Sequence, residues 1–424
     1  MGSFIKILDI SLENGEVIKI DYDYSKNLGR HFRKNSFKVK YSDDISSVNR
    51  GILGIPALAG LIGIAWLTGS DVFIDSLDED YYHSLMDLMT FFQERHRSLG
   101  FETKIHTRLI KNKPRKQGVG LLFSGGVDSL YSYYSNKGKE PELFTVFGSE
   151  IPVGRVKFIE KVMNTNKDFA ERHGLKIHFI ETDYLNSVNG DYITSQYFDY
   201  MGGYSYYEAF CIGIFLTGVC APITIDRVNR LLLSSGVVDL ADNMYGSSPR
   251  LDEKIGWGGL HVIHEGGGVS RYEKIRYLSQ HLKREAIALR VCNFAPKYLD
   301  RLNCSKCEKC YRNMLILLYH GLDPSKHGFN YLPEKLSKLK NRIISGSLLK
   351  EDDIPSWKSL QRENLIHSED DMLNEFTDWF TNFNLDSVPR ATRMPRFYLR
   401  IFSYLPLRVG KMVRKIYHKR IVKM

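Results

Sequence analysis

The chain has 424 residues, 43% hydrophobic and 25% charged, an ordinary globular composition that supplies a sizeable core, allows two or three domains and excludes a disordered chain. The net charge of +10 is local: residues 387–424 carry eleven Lys and Arg and no acid, which leaves −1 for the other 386 residues and excludes a basic catalytic body. No charged start precedes an apolar core and a small-residue cleavage site, so a secretory signal is not expected; the six cysteines are then read in a reducing, cytoplasmic setting, where clustering favours metal over disulfide.

From the start, 4–8, 17–22, 37–41, 72–75 and 104–110 read as strands, the first three by period-two alternation. A helix is expected over 80–99. The apolar stretch 51–68 reaches the minimum length of a membrane span but carries Pro56 and four glycines, so we read a buried helix packed closely through its small residues. These pieces predict a small α+β domain over 1–112 without a catalytic motif. A polar, proline-containing linker, 111–118, closes it.

Beyond the linker, strands and helices alternate. Strands are expected at 118–123, 143–148, 176–181, 230–235 and 260–264. Helices are expected at 155–173, 207–220, 270–283 and 311–320. That alternation predicts an α/β fold, a doubly wound parallel sheet over 118–325 with right-handed crossovers and ligands beyond the carboxyl ends of the strands. A helical extension is expected over 326–386 and a basic tail over 387–424.

The most specific local pattern follows the first of these strands: Ser124-Gly125-Gly126-Val127-Asp128-Ser129. Paired glycines turn the backbone sharply and point successive N–H groups into one concavity. The serine hydroxyls and the N-terminus of the following helix add further donors and partial positive charge. Such a turn suits a polyphosphate. Asp128 is out of place there, because a bare carboxylate repels phosphate; a bridging Mg²⁺ resolves the conflict. Neither the Gly-Lys-Ser/Thr ending of a Walker loop nor the spacing of a dinucleotide fingerprint is present. The pattern resembles the signature of the PP-loop ATP pyrophosphatases, which split ATP between the α and β phosphates and pass AMP to a substrate oxygen. The bland alternative is an ordinary Gly-Gly turn.

Cys292, Cys304, Cys307 and Cys310 form a second pattern, C-x11-C-x2-C-x2-C. The short spacings let thiolates share one metal, and Lys306, Lys309, Arg301 and Arg312 offset their charge. A closed tetrahedral Zn²⁺ site fits, and a [4Fe–4S] cluster uses the same ligands. Cys211 and Cys220 lie on an apolar helix and read as packing residues.

Together, the two patterns resemble the 7-cyano-7-deazaguanine synthase family over 118–322, about half the chain. The resemblance implies an ATP-dependent ligase. Ser124, Gly125, Gly126, Val127, Asp128 and Ser129 would hold pyrophosphate, and the four cysteines a structural zinc. ATP, Mg²⁺ and Zn²⁺ are the implied cofactors. The nitrogen donor would be ammonia and the acceptor a carboxylate on a small molecule or a protein. Synthase-like proteins with added domains are similar to members of antiphage-defence and surface-polysaccharide gene sets, which implies a co-encoded partner. The compact synthases lack counterparts of the first 110 and last 100 residues, and the first cysteine here stands further from the other three.

Other residues are candidates to complete the site. Ser234 and Ser235 end the fourth strand of the alternating region. The loop 245–250 carries Arg250. The turn 266–274 offers Arg271 and Lys274 to a phosphate, while Ser270 and Glu273 also spell a capping box. Tyr204, Tyr206 and Tyr207 either stack on a flat substrate or belong to core or surface. Two rival functions remain: a sulfurtransferase acting on a nucleobase, which needs a redox cysteine pair or an iron–sulfur cluster, and a nucleotide-binding regulator without catalysis. In the tail, cations interleave with large apolar residues over 400–408 and 411–423. That suits an interfacial helix on anionic lipid, hence a peripheral membrane position, or contact with nucleic acid; a packed terminal helix is the plain alternative.

Overall fold

The computed structural model describes residues 2–96, 102–114, 116–236, 244–292, 301–363 and 370–388. The basic tail from 389 onward lies outside the described residues, so its expected docking surface is not addressed. The described strands are β1 Phe4–Glu13, β2 Val17–Tyr24, β3 Ser36–Tyr41, β4 Asp71–Asp78, β5 Ile105–Ile110, β6 Val119–Leu122, β7 Glu142–Phe147, β8 Ile177–Thr182, β9 Arg230–Ser234, β10 Gly256–Trp257 and β11 Leu260–Glu265. They form one eleven-stranded sheet in the order β10-β11-β9-β6-β7-β8-β3-β2-β1-β4-β5.

Five neighbours in this sheet, β11, β9, β6, β7 and β8, are all parallel. The apolar runs of β6, β7, β8 and β9 are buried on both faces, as parallel strands covered by helices require, while β11, beside the short β10, alternates. Helices Val127–Ser135, Val156–Arg172, Arg271–Leu282 and Glu308–Tyr319 contribute to the core on one face. Helices Ile55–Thr68, Glu79–Arg95 and Ile212–Gly218 contribute to the core on the other. Taken in chain order, β6, β7 and β8 run outward in one direction and β9 and β11 in the other. The order therefore reverses between β6 and β9, and that switch point is where open α/β sheets leave a crevice.

The N-terminal strands do not form a sheet of their own. β3 pairs antiparallel with β8, through Val39–Thr182, Lys40–Glu181 and Tyr41–Ile180, so the sheet runs unbroken across the linker. The physical reason is edge satisfaction: β8 would otherwise present a row of unpaired N–H and C=O groups. At the β1–β2 turn, Asn14 and Gly15 take positive φ of 53° and 73°, the left-handed geometry that a tight hairpin demands.

The apolar stretch 51–68 becomes two helices, Arg50–Leu53 and Ile55–Thr68, and every residue from Ile55 to Leu67 is buried. Small residues set the spacing, as expected. A Cβ on Gly218 would lie 2.5 Å from Ala59 Cβ, and one on Gly60 would lie 2.8 Å from the Tyr184 ring. Gly218→Ala is therefore expected to destabilise by about 1–3 kcal/mol through overpacking, measured as a lower denaturation midpoint. An unchanged midpoint would mean that the two helices separate freely. Among the described residues one helical stretch, Tyr207–Thr224, is long and apolar enough to cross a membrane, and 83% of it is buried inside this fold.

After the cysteines, helices Lys335–Ile344, Ile354–Gln361 and Asp371–Asn382 join the core around Glu308–Tyr319. Trp357 is fully buried there and donates its indole N–H to Glu308 Oε1 at 2.9 Å.

Candidate functional site

The glycine turn leaves β6 at the switch point. Phe123 still donates its N–H to Phe144 O, 2.7 Å away, so the sheet holds the chain up to the turn. Gly125 has φ of 70°, and a Cβ there would stand 2.6 Å from Asn166 Oδ1. Both facts require glycine. Behind it Asn166 donates to Thr145 Oγ1 (3.2 Å), and Thr145 donates to Phe123 O (2.6 Å). Helix Val127–Ser135 starts immediately, and no side chain caps it. Its first-turn N–H groups have no intrahelical partner. The Ser129 hydroxyl donates to Gly126 O at 3.1 Å, and the Ser124 hydroxyl oxygen accepts from Gly126 N–H at 3.3 Å. These serines thus brace the turn as well as facing it.

Ser234 ends β9, across the switch point from the turn. Its Oγ is buried without a hydrogen-bond partner, an unusual state for a buried hydroxyl. Ser235 is buried, and its carbonyl accepts from Lys274 Nζ at 2.5 Å.

Asp128 departs from the sequence expectation. It is not a bare carboxylate that needs Mg²⁺. Arg271 Nη2 donates to its Oδ2 at 2.7 Å and Lys274 Nζ to its Oδ1 at 3.0 Å. Both oxygens are engaged by cations, so the residue does not fit the role of a free metal ligand. Burial alone would raise the Asp128 carboxyl, but the charges and hydrogen bonds of Arg271 and Lys274 outweigh it and hold the group below the usual carboxylate range. Lys274 is 2% exposed; burial lowers its ammonium, and Asp128 opposes part of that shift. The helix carrying both cations starts with the expected capping box of Ser270 and Glu273. The cap and the cation cluster coexist, because Arg271 and Lys274 lie one turn apart on the same helical face.

Sequence reasoning missed Arg290. Its backbone N–H donates to Gly125 O at 2.8 Å and its Nε to Ser124 O at 2.9 Å. It also faces Glu150 at 3.5 Å. No local signal marks it, since it lies 165 residues from the turn in the sequence. A buried pair was also missed: His264 Nδ1 and Asp252 Oδ2 are 2.6 Å apart. Burial raises the Asp252 carboxyl despite His264.

Other candidates do not join the site. Tyr206 is buried, with Gly63 close to its hydroxyl, so it is core. Tyr204 meets Tyr245 edge-on at 5.4 Å, and Tyr207 packs near Phe215. The Arg250 guanidinium lies 5.2 Å from the Phe91 ring, on helix Glu79–Arg95. Cys211 and Cys220 are buried; burial pushes the Cys211 thiol up to about 12 and raises Cys220 too, as inert packing residues require.

The four clustered cysteines do converge. All four Sγ atoms lie within 4.8 Å of one another, with Cys292–Cys307 at 3.7 Å, Cys304–Cys310 at 3.8 Å and Cys307–Cys310 at 3.4 Å. A tetrahedral ion with metal–sulfur bonds of about 2.3 Å sets its sulfurs roughly 3.8 Å apart, so the cluster fits a single metal ion. Cys292 and Cys310 are buried; Cys304 and Cys307 are half-buried.

No family model matches the chain, and neither a curated protein nor a solved structure is significantly similar to it.

Proposed function

We propose that the protein is an ATP-dependent ligase of the PP-loop type, which adenylates a carboxylate or amide and releases pyrophosphate. The observation that carries this reading is positional. The uncapped helix start at Ser124–Ser129 and the partnerless Ser234 Oγ end the two strands that flank the switch point. In this reading the loop N–H groups hold the β and γ phosphates. Arg271 and Lys274, held together by Asp128, stabilise charge that builds on the α phosphate. An acceptor oxygen attacks the α phosphorus and pyrophosphate leaves. Ammonia then displaces AMP from the acyl adenylate and gives an amide. Asp128, already engaged by two cations, is not assigned as a Mg²⁺ ligand in this reading.

The cysteine geometry favours nitrogen over sulfur chemistry. A four-iron cluster binds each thiolate to a different iron and spreads the sulfurs wider than one ion does. Four sulfurs within 4.8 Å of one another, three pairs of them at 3.4–3.8 Å, suit a single zinc ion, whose role is to fold the region. A small-molecule acid or a co-encoded protein is the proposed acceptor.

The test is product analysis. Full-length protein with ATP, ammonium and candidate acids or co-encoded proteins is expected to release AMP and pyrophosphate, with acceptor mass changed accordingly. ADP and phosphate as products would overturn the reading. ATP binding without turnover under any acceptor would favour the regulator instead.

A further inference from the structure

We infer that Arg290 is the positioning residue of the phosphate loop, and that it couples the loop's shape to the four-cysteine centre. The inference rests on the loop's reading as a phosphate site.

An anion cradle made of backbone requires that N–H groups point inward. Every carbonyl of the same turn must then point elsewhere and find a donor, because an unpaired buried carbonyl is costly and a carbonyl facing phosphate repels it. Arg290 supplies two of those donors; Ser129 and Leu130 serve the carbonyl of Gly126. Arg290 Nε takes Ser124 O at 2.9 Å and its backbone N–H takes Gly125 O at 2.8 Å. Two successive carbonyls of the turn are thereby held by one residue. The Arg290 carbonyl also lies close to the turn: a Cβ on Gly126 would stand 3.0 Å from it. The guanidinium then reaches Glu150 at 3.5 Å, beyond the end of β7, which pins the side chain across the loop.

The segment that carries Arg290 is suspended from the cysteine knot. Cys292 follows two residues later. Val291 donates its N–H to Asn303 Oδ1 at 2.9 Å. Asn303 in turn donates to Leu289 O at 2.6 Å and to Gly328 O at 3.0 Å. Asn303 is buried and directly precedes Cys304. One ion on the four sulfurs therefore fixes both ends of this clasp, Cys292 and Cys304, and through them the height of Arg290 against the turn. Loss of the ion releases the donors that hold the loop carbonyls.

Calorimetric titration of ATP and of pyrophosphate into the full chain tests this. Arg290→Ala is expected to weaken pyrophosphate binding by about tenfold or more while leaving the metal content at the wild-type value, since one charge-assisted hydrogen bond is lost. Arg290→Lys, which keeps the charge and one donor, is expected to recover part of the affinity. Hydrogen exchange supplies a readout independent of activity. Amides of 124–130 should exchange faster in Arg290→Ala and in metal-depleted wild type, with β7 and β8 still protected. Wild-type binding with equal affinity and equal loop exchange in Arg290→Ala would overturn the inference. Slower or unchanged loop exchange on metal removal, with the sheet intact, would overturn the coupling. If the wild type binds neither ATP nor pyrophosphate, the phosphate reading of the loop fails instead.

Discussion

Removing the metal is expected to loosen the region built around the cysteine knot, segment 287–292, helix Glu308–Tyr319 and the C-terminal helices, while the sheet itself holds. Cys307→Ser leaves three thiolates for a site that closes with four. Structural zinc contributes on the order of 10–16 kcal/mol in small zinc domains, which rivals the about 5–15 kcal/mol total stability of a typical protein. The core here is larger, so not all of that is lost. Yet the knot holds segment 287–292, the start of helix Glu308–Tyr319 and, through Glu308 and Trp357, the C-terminal helices. The expected result is one zinc per chain in the wild type, and in Cys307→Ser a metal-poor protein with a much lower melting temperature or a first unfolding transition of its own. Metal analysis and calorimetry measure both. A metal-free Cys307→Ser protein that melts with the wild type would make the site dispensable. Iron with sulfide in place of zinc would move the function toward sulfur transfer.

Asp128→Asn is expected to have the second largest effect. The change leaves Lys274, 2% exposed, and Arg271 without their counter-charge. Breaking a buried pair in this way costs about 3–5 kcal/mol, so the fold is weakened as well as the chemistry. Pyrophosphate release should be lost at temperatures where the variant remains folded, because the two cations are no longer held over the loop. The pH dependence has a definite sign. The folded-state carboxyl is lowered, so its contribution is complete above the ordinary Asp value of about 4 and disappears as pH falls through the lowered value. Wild-type and Asp128→Asn melting temperatures should therefore differ most near neutral pH and converge in strong acid. A constant difference at all pH values would mean that the loss is steric rather than electrostatic.

The legible parts were those with local causes. The strand–turn–helix at Ser124–Ser129 announces itself because glycine pairs, serines and an apolar run fall within a dozen residues. The five parallel strands were legible for a similar reason, since each is a short apolar run bounded by polar turns. The cysteine knot was legible from spacing alone: three of its four ligands sit within seven residues, and their Sγ atoms do meet. What was misread had distant causes. Asp128 looked bare because its two partners come from a helix 143 and 146 residues away. Arg290 gave no signal because its target is two backbone carbonyls, which have no sequence identity. Arg250 looked available to the site until Phe91 was brought under it.

By itself, the sequence determined the alternating α/β class, the turn that suits an anion, the capping box at Ser270 and the four thiols, because each is governed by backbone preference or short spacing. Only the tertiary structure decided that β3 completes the edge of β8 and merges the N-terminal region into one sheet. It alone set the order reversal between β6 and β9, and paired Asp128 with Arg271 and Lys274. Those outcomes depend on which edges and charges must be satisfied across the fold, and burial enforces that only when the chain has closed on itself.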